Sequence, residues 1–241
     1  MAAWRLARSV LHLLHGMAIV ALRWRALDAT GREARIAWWA GKMLRLLGIT
    51  LDVDGQFRAG GTLMVANHVS WLDILVIHAV CPRSRFVSKA DVLHWPLLGW
   101  LIASVGTLFI ERERKRDALR VVHQVAAALH AGDMVAVFPE GTTSDGTQLL
   151  PFHANLLQAA VVHATPVQPV ALRYSQPGER FSPAVAWLGE TTLATSLWRI
   201  AGARHLRARV TALPAVESKD AERRALAARL QAIVARGLGL D

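Results

Sequence analysis

Beyond residue 50 the chain alternates short apolar, β-rich runs with amphipathic helical repeats, an order that few folds accommodate. The runs occupy residues 62–66, 85–88, 107–110, 134–138, 167–173, 185–188 and 208–213. Over 114–130, Ala118, Val121, Val122, Val125, Ala128 and Leu129 recur at three- and four-residue spacing, and Gly132 follows as a stop. Pro151 opens another helix running to about residue 163. A last one covers about 219–236, with Leu226, Leu230, Ile233 and Val234 on one stripe. Strands separated by helices specify an α/β fold, a single domain whose central sheet is mostly parallel or mixed and flanked by helices. In such sheets ligands gather at the carboxyl ends of the strands.

The first fifty residues follow a different pattern. Hydrophobic residues make up 53% of the chain and charged ones only 19%, yet the longest apolar stretch, SVLHLLHGMAIVAL at 9–22, has 14 residues. A membrane-crossing helix needs about 20. Arg23-Trp24-Arg25 stands where a signal peptide would carry its small-residue cleavage site. The stretch reads instead as a helix lying on a membrane, with Trp4, Arg5, Arg8, Trp24 and Arg25 as interfacial anchors. Residues 32–47, with Trp38 and Trp39, repeat the theme. The expected division is residues 1–50 as an N-terminal membrane-associated helical segment and 51–241 as the α/β domain.

A single cysteine, Cys81, excludes an intramolecular disulfide and fits a cytosolic compartment or membrane face. The net charge of +10 comes almost wholly from arginine and points to an anionic partner. A basic nucleic-acid-binding protein would explain that charge. Against it, there is one tyrosine, and four of the nine tryptophans fall in the first 39 residues beside apolar helix faces.

Four strand ends carry unusual chemistry. The run at 62–66 ends in Asn67-His68-Val-Ser-Trp-Leu-Asp73. Ser70 and Asp73 fit a capping box. Equally, Asp73 can accept a hydrogen bond from one nitrogen of His68 and leave the other free as a general base. At 106–112 GTLFIER delivers Arg112 to a strand end, where its guanidinium can clasp phosphate or carboxylate. At 137–146 VFPEGTTSDG places Gly141 where backbone can approach a ligand, amid amides that can form an anion nest. The run TPVQPVAL at 165–172 holds Pro166 and Pro169, which suit an edge strand or an apolar wall beside a groove. His68 and Asp73 lack companions at metal-ligand spacing, so no metal is expected. The remaining histidines, scattered over apolar helices and ends, read as structural or solvated.

Together these segments resemble the 1-acylglycerol-3-phosphate acyltransferase family of lysophospholipid acyltransferases. That family carries Asn-His-x4-Asp, Gly-x2-Phe-Ile-x-Arg, Phe-Pro-Glu-Gly-Thr and a proline-rich apolar motif in this order. The resemblance covers about residues 60–175. It implies transfer of a fatty acyl group from acyl-CoA or acyl-carrier protein, the co-substrate, to the free hydroxyl of a membrane lysolipid, with no permanently bound cofactor and no nucleic acid.

It further implies His68 as the base and Asp73 as its orienting partner. Asn67, Arg112, Glu140, Gly141, Thr142 and Thr143 would lie on the substrate side, and Pro166 and Pro169 on the acyl or membrane side. Amides at 140–142 would be candidate donors to the oxyanion. The implied location is the cytoplasmic face of the inner membrane. One departure is notable: the family commonly continues Gly-Thr-Arg, whereas Thr143 stands here. Lysophosphatidate remains the preferred acceptor, with lyso-ornithine lipid, which lacks a phosphate, as the alternative. With the acyl-transfer site in view, Asp73 is expected to face His68 rather than the Ser70 amide.

Overall fold

The computed structural model describes residues 1–95, 97–110 and 115–240. Seven strands form one sheet: β1 (Ile49–Asp54), β2 (Thr62–Ala66), β3 (Ser84–Lys89), β4 (Leu108–Ile110), β5 (Met134–Val137), β6 (Val167–Ser175) and β7 (Leu206–Ala212). Their spatial order is β1-β7-β6-β2-β5-β3-β4. Every pairing is parallel except β6 with β7, so β7 and β1 run against the other five. The sheet is therefore mixed.

Among the described residues eight α-helices accompany it: α1 (Ala2–Arg23), α2 (Ala29–Leu47), α3 (Leu72–Val80), α4 (Leu98–Ser104), α5 (Lys115–His130), α6 (Leu157–Val162), α7 (Leu193–Gly202) and α8 (Arg223–Leu238). On one face Leu44, Leu72, Ile77 and Ile200, from α2, α3 and α7, pack on Met64, Ala66, Met134 and Ala136. On the other, Val125, Leu129, Leu157 and Leu230, from α5, α6 and α8, pack on Leu63, Val65, Val135 and Val137. All residues of β2 and β5 are buried, as a parallel strand covered on both sides requires.

The loops that leave β2 and β5 diverge. From β2 the chain enters α3 on one face and continues to β3; from β5 it reaches α6 on the opposite face and continues to β6. Because β2 and β5 are neighbours, a crevice opens between the two departing loops at their carboxyl ends. Open α/β sheets bind ligands at such a switch point.

Several expectations change. The run at 185–188 is not a strand; its backbone is irregular, and Trp187 N–H donates to Val69 O at 3.1 Å. The strand Ile49–Asp54 was not foreseen, because only Gly48 separates it from the end of α2. The helix read over 151–163 forms only at Leu157–Val162. Ahead of it the amides of Phe152 and His153 are held by Gln231 Oε1 and Pro139 O, not by helical partners.

β6 is an interior strand, not an edge. It accommodates Pro169 at a bulge: Val167 pairs with Val216 and Val170 with Ala212, three steps against four.

At the N-terminus, α1 exceeds the 14-residue run. Ala2–Ala26 is 25 residues and contains an 18-residue window of mean hydropathy 1.3, long and apolar enough to cross a membrane by length and composition. One side is docked on the protein. His12 Nε2–H donates to Trp39 O at 3.0 Å and Trp39 Nε1–H returns a bond to His12 O at 3.1 Å. Gly16 permits this approach, since a Cβ there would lie 2.3 Å from Trp39 Nε1. Arg5, expected as an interfacial anchor, turns inward instead and donates to Ala201 O and Ala203 O at the end of α7. The outward side is apolar, with Trp4, Val10, Leu11 and Leu14 exposed. Since Met43, Leu44 and Leu47 belong to the main core, residues 1–50 are built into the domain through α2.

His78 is among the histidines read as structural, and it is buried in α3 with its ring edge-on to Phe86. Burial pushes its pKa from 6.5 down to about 4. Between those values the unfolded chain binds more protons than the folded one, so stability falls as pH drops through that window. Wild-type protein should lose up to about 3 kcal/mol between pH 6.5 and 4 from this group. Urea titrations across that range should show a flatter profile for His78→Leu.

Candidate active site

The crevice is built from four segments. β2 is wholly buried, apolar after Thr62, and ends at Ala66, after which Asn67 and His68 open the turn into α3. That turn closes on itself: Ser70 Oγ accepts from Leu72 N–H at 3.1 Å, and Asp73 N–H donates to Ser70 O at 3.1 Å. Asp73 then points back toward His68. Its Oδ2 lies 2.7 Å from His68 Nδ1 and also accepts from the amides of Val69, at 2.7 Å, and Ser70, at 3.0 Å. The expectation that Asp73 faces His68 and not the Ser70 amide is therefore corrected. One oxygen serves both, because a carboxylate at the third position past Ser70 meets the turn's amides and the ring of His68 together.

Asp73 is fully buried, whereas the His68 side chain is 21% exposed. The backbone amides can only donate, and the remaining oxygen, Oδ1, accepts from Tyr174 O–H at 2.7 Å. A carboxylate facing these donors is an acceptor throughout. The proton between Asp73 and His68 is thereby assigned to Nδ1, and the lone pair to Nε2. Among the described residues no hydrogen bond engages Nε2. The ring is further held by Phe138 at the end of β5, stacked at 4.1 Å between centroids and 12° between planes.

The turn after β5 supports this arrangement from below. Glu140 is 3% exposed. Its Oε1 accepts from the His68 amide at 2.7 Å and its Oε2 from the Leu150 amide at 3.0 Å. Burial raises its pKa above the ordinary carboxylate value, while the bonds from His68 and Leu150 act the other way. Ser144 N–H donates to His68 O at 2.8 Å. The backbone of His68 is thus clamped on both sides by the 140–144 segment.

The foreseen substrate residues separate. Asn67 is fully buried, donating to Leu172 O at 2.9 Å and accepting from Leu172 N–H at 2.7 Å. It ties β2 to β6 and presents nothing to the crevice. Glu140 likewise holds backbone. Gly141 has φ of 72°, and its amide closes the turn on Phe138 O at 3.1 Å, so it is not an open oxyanion donor.

Thr142 is exposed beside it, while the Thr143 hydroxyl donates to Trp187 O. Pro166 immediately precedes β6 and Pro169 lies in its entering half, beside Leu63 and Val65 of β2 and away from His68. An assignment to a groove wall at the site does not fit that register. Arg112 lies outside the described residues.

Tyr174, Phe138 and Ser144 complete the site without having been singled out. A signal existed for Tyr174: it is the chain's only tyrosine and lies two residues past Leu172, on the same face of β6.

A family model described as Acyltransferase matches residues 34–173. The lyso-ornithine lipid O-acyltransferase of Pseudomonas aeruginosa is 35% identical over 208 residues, covering 86% of this chain and 80% of that protein. A 1-acyl-sn-glycerol-3-phosphate acyltransferase of Neisseria meningitidis is 41% identical over 180 residues, covering 74% and 69%. The crystal structure of a 1-acyl-sn-glycerophosphate acyltransferase from Thermotoga maritima superposes with a TM-score of 0.69 at 20% identity, covering 98% of this chain and 97% of that one. That likeness bears on the fold.

The reassigned role of Asn67 can be measured. Asn67→Ala strands the buried amide and carbonyl of Leu172, and each unpaired group costs about 1–3 kcal/mol. Denaturant unfolding should show a loss of roughly 2–5 kcal/mol. A residue that merely touched substrate would change KM and leave unfolding alone.

Proposed function

The chain belongs to the acyltransferase family, and from that premise we propose that it is an O-acyltransferase in which His68 is the general base for acyl transfer from a thioester to a lysolipid hydroxyl. The observation that carries this reading is the His68–Asp73 pair. Its Nδ1 is committed to a buried carboxylate and its Nε2 remains open at a switch-point crevice.

The steps follow from that geometry. Nε2 takes the proton of the acceptor hydroxyl as its oxygen attacks the thioester carbonyl. A carbon–oxygen bond forms and charge moves to the carbonyl oxygen. When the intermediate collapses the carbon–sulfur bond breaks, and the imidazolium returns its proton to the leaving thiolate. Asp73 stabilises the imidazolium through Nδ1–H while the backbone clamps from Glu140 and Ser144 hold the ring's position. The thioester is that of coenzyme A or acyl-carrier protein. Neither the donor nor a cofactor needs a resident group in this scheme.

For the acceptor we prefer lysophosphatidate, in keeping with the name of the Neisseria relative. Lyso-ornithine lipid is a second reading with its own support. Thr143 stands where the family commonly has arginine, and its hydroxyl is turned to the Trp187 carbonyl, so a phosphate would lose a cationic contact there. Membrane lipids supply either acceptor. The exposed apolar side of α1 supports attachment to an anionic membrane on its cytoplasmic face. Leu93, Trp95, Leu97 and Trp100, ahead of and within α4, extend the apolar surface.

Purified protein given a labelled acyl-thioester and a panel of lysolipids should acylate one head-group class preferentially. His68→Ala should lower kcat by about 10²–10⁴-fold; unchanged turnover would sink the base assignment. Separately, Leu11→Ser with Leu14→Ser should weaken partition onto anionic vesicles by about ten-fold or more, read by flotation.

A further inference from the structure

The family pattern reads the base and its carboxylate from one short motif, yet the buried carboxylate has a fourth donor from a different strand. Tyr174, on β6, is buried in the core beside α3 with its hydroxyl 2.7 Å from Asp73 Oδ1. Packing alone does not call for a tyrosine there. Phenylalanine would fill the same space without burying a hydroxyl, which is costly unless that hydroxyl is bonded. Its partner in this structure is Asp73.

The geometry gives the bond a task. His68 Nδ1 and the amides of Val69 and Ser70 all meet Oδ2, so they locate one oxygen and leave the carboxylate free to swing about it. A donor on Oδ1 from a separate strand sets the plane of the group. β6 itself is fixed nearby, because Asn67 bridges to Leu172, two residues before Tyr174. Burial pushes the phenol's pKa well above its ordinary value, so it remains a donor at any working pH.

We propose that Tyr174 is a positioning residue for acyl transfer, its hydroxyl fixing the plane of Asp73 so that Oδ2 stays aligned on His68 Nδ1. This rests on the reading of His68 as general base. Tyr174 touches no substrate and acts only through Asp73.

Steady-state kinetics on full-length protein with a labelled acyl-thioester and the preferred lysolipid test it. Tyr174→Phe should lower kcat about ten-fold with the KM of both substrates unchanged. In an Asp73→Asn background the same change should cost less than about two-fold, because the two act as a unit. Full kcat in Tyr174→Phe, or losses that multiply in the double variant, overturns the proposal. If Asp73→Asn itself retains wild-type turnover, Asp73 does not orient the base and this proposal falls, whereas the base reading is overturned by unchanged turnover in His68→Ala. If Asp73→Asn is impaired and Tyr174→Phe is not, only the role of Tyr174 fails.

A measurement independent of the Phe variant uses the fact that the chain has one tyrosine. Uniform 3-fluorotyrosine labelling places a single ¹⁹F reporter on this hydroxyl's ring. Asp73→Asn should move its resonance, and an unmoved signal would show that the hydroxyl is not engaged with Asp73.

Discussion

The Asp73 carboxylate organises this protein's site. It is fully buried, and a lone buried charge would be untenable without compensation. Compensation comes from four donors: two amides of its own turn, the ring of His68 and the hydroxyl of Tyr174. The arrangement resolves the choice between helix cap and catalytic partner by combining them. The cap bonds neutralise part of the charge and shape the turn, and the same oxygen that accepts them orients His68. Cap and dyad are thus one structure, and substitutions at Asp73 will disturb the turn and the orientation of His68 together.

Around that carboxylate the support is arranged in layers. Glu140 reaches from the end of β5 to hold the amide of His68, and Ser144 holds its carbonyl. Asn67, next to the base in sequence, faces away from the crevice and binds β2 to β6. The site is therefore assembled at the junction of three adjacent strands. The base proposed above, which would meet a hydroxyl and a thioester together, needs such fixed placement, since small misplacements cost heavily in rate. Of the His68–Asp73 pair, only the His68 side chain is left partly open.

The N-terminal helices connect this site to an apolar surface. α1 presents Leu11 and Leu14 outward while Arg5, His12 and Gly16 fasten its inner side. The α7 helix that Arg5 caps also receives the indole N–H of Trp71 on Ser196 Oγ, at the start of the turn that holds Asp73. The apolar surface and the turn that carries His68 and Asp73 are thus joined through α7.

Much of this was legible in the linear chain. Period and length in the apolar runs specified an α/β sheet, since strands buried on both faces read as unbroken hydrophobic segments and core helices as three- and four-residue stripes. The spacing of His68 and Asp73 was equally readable, because five residues across one turn keep a contact local. What escaped detection depended on distant neighbours. The edge strand at 49–54 follows α2 with only Gly48 between and is defined by its pairing with β7, and β6 looked like an edge until a bulge showed how Pro169 fits inside the sheet. Asn67 and Glu140 looked like substrate ligands because polar residues in a motif do; burial and backbone partners at separations of 105 and 72 residues gave them structural work. Tyr174 is 101 residues from Asp73. By itself the sequence determined the local pair and the class of fold, through interactions within a turn or a periodic face. The tertiary structure alone decided that Tyr174 meets Asp73 and that Glu140 and Asn67 hold backbone, because those bonds form only after the strands have been brought side by side.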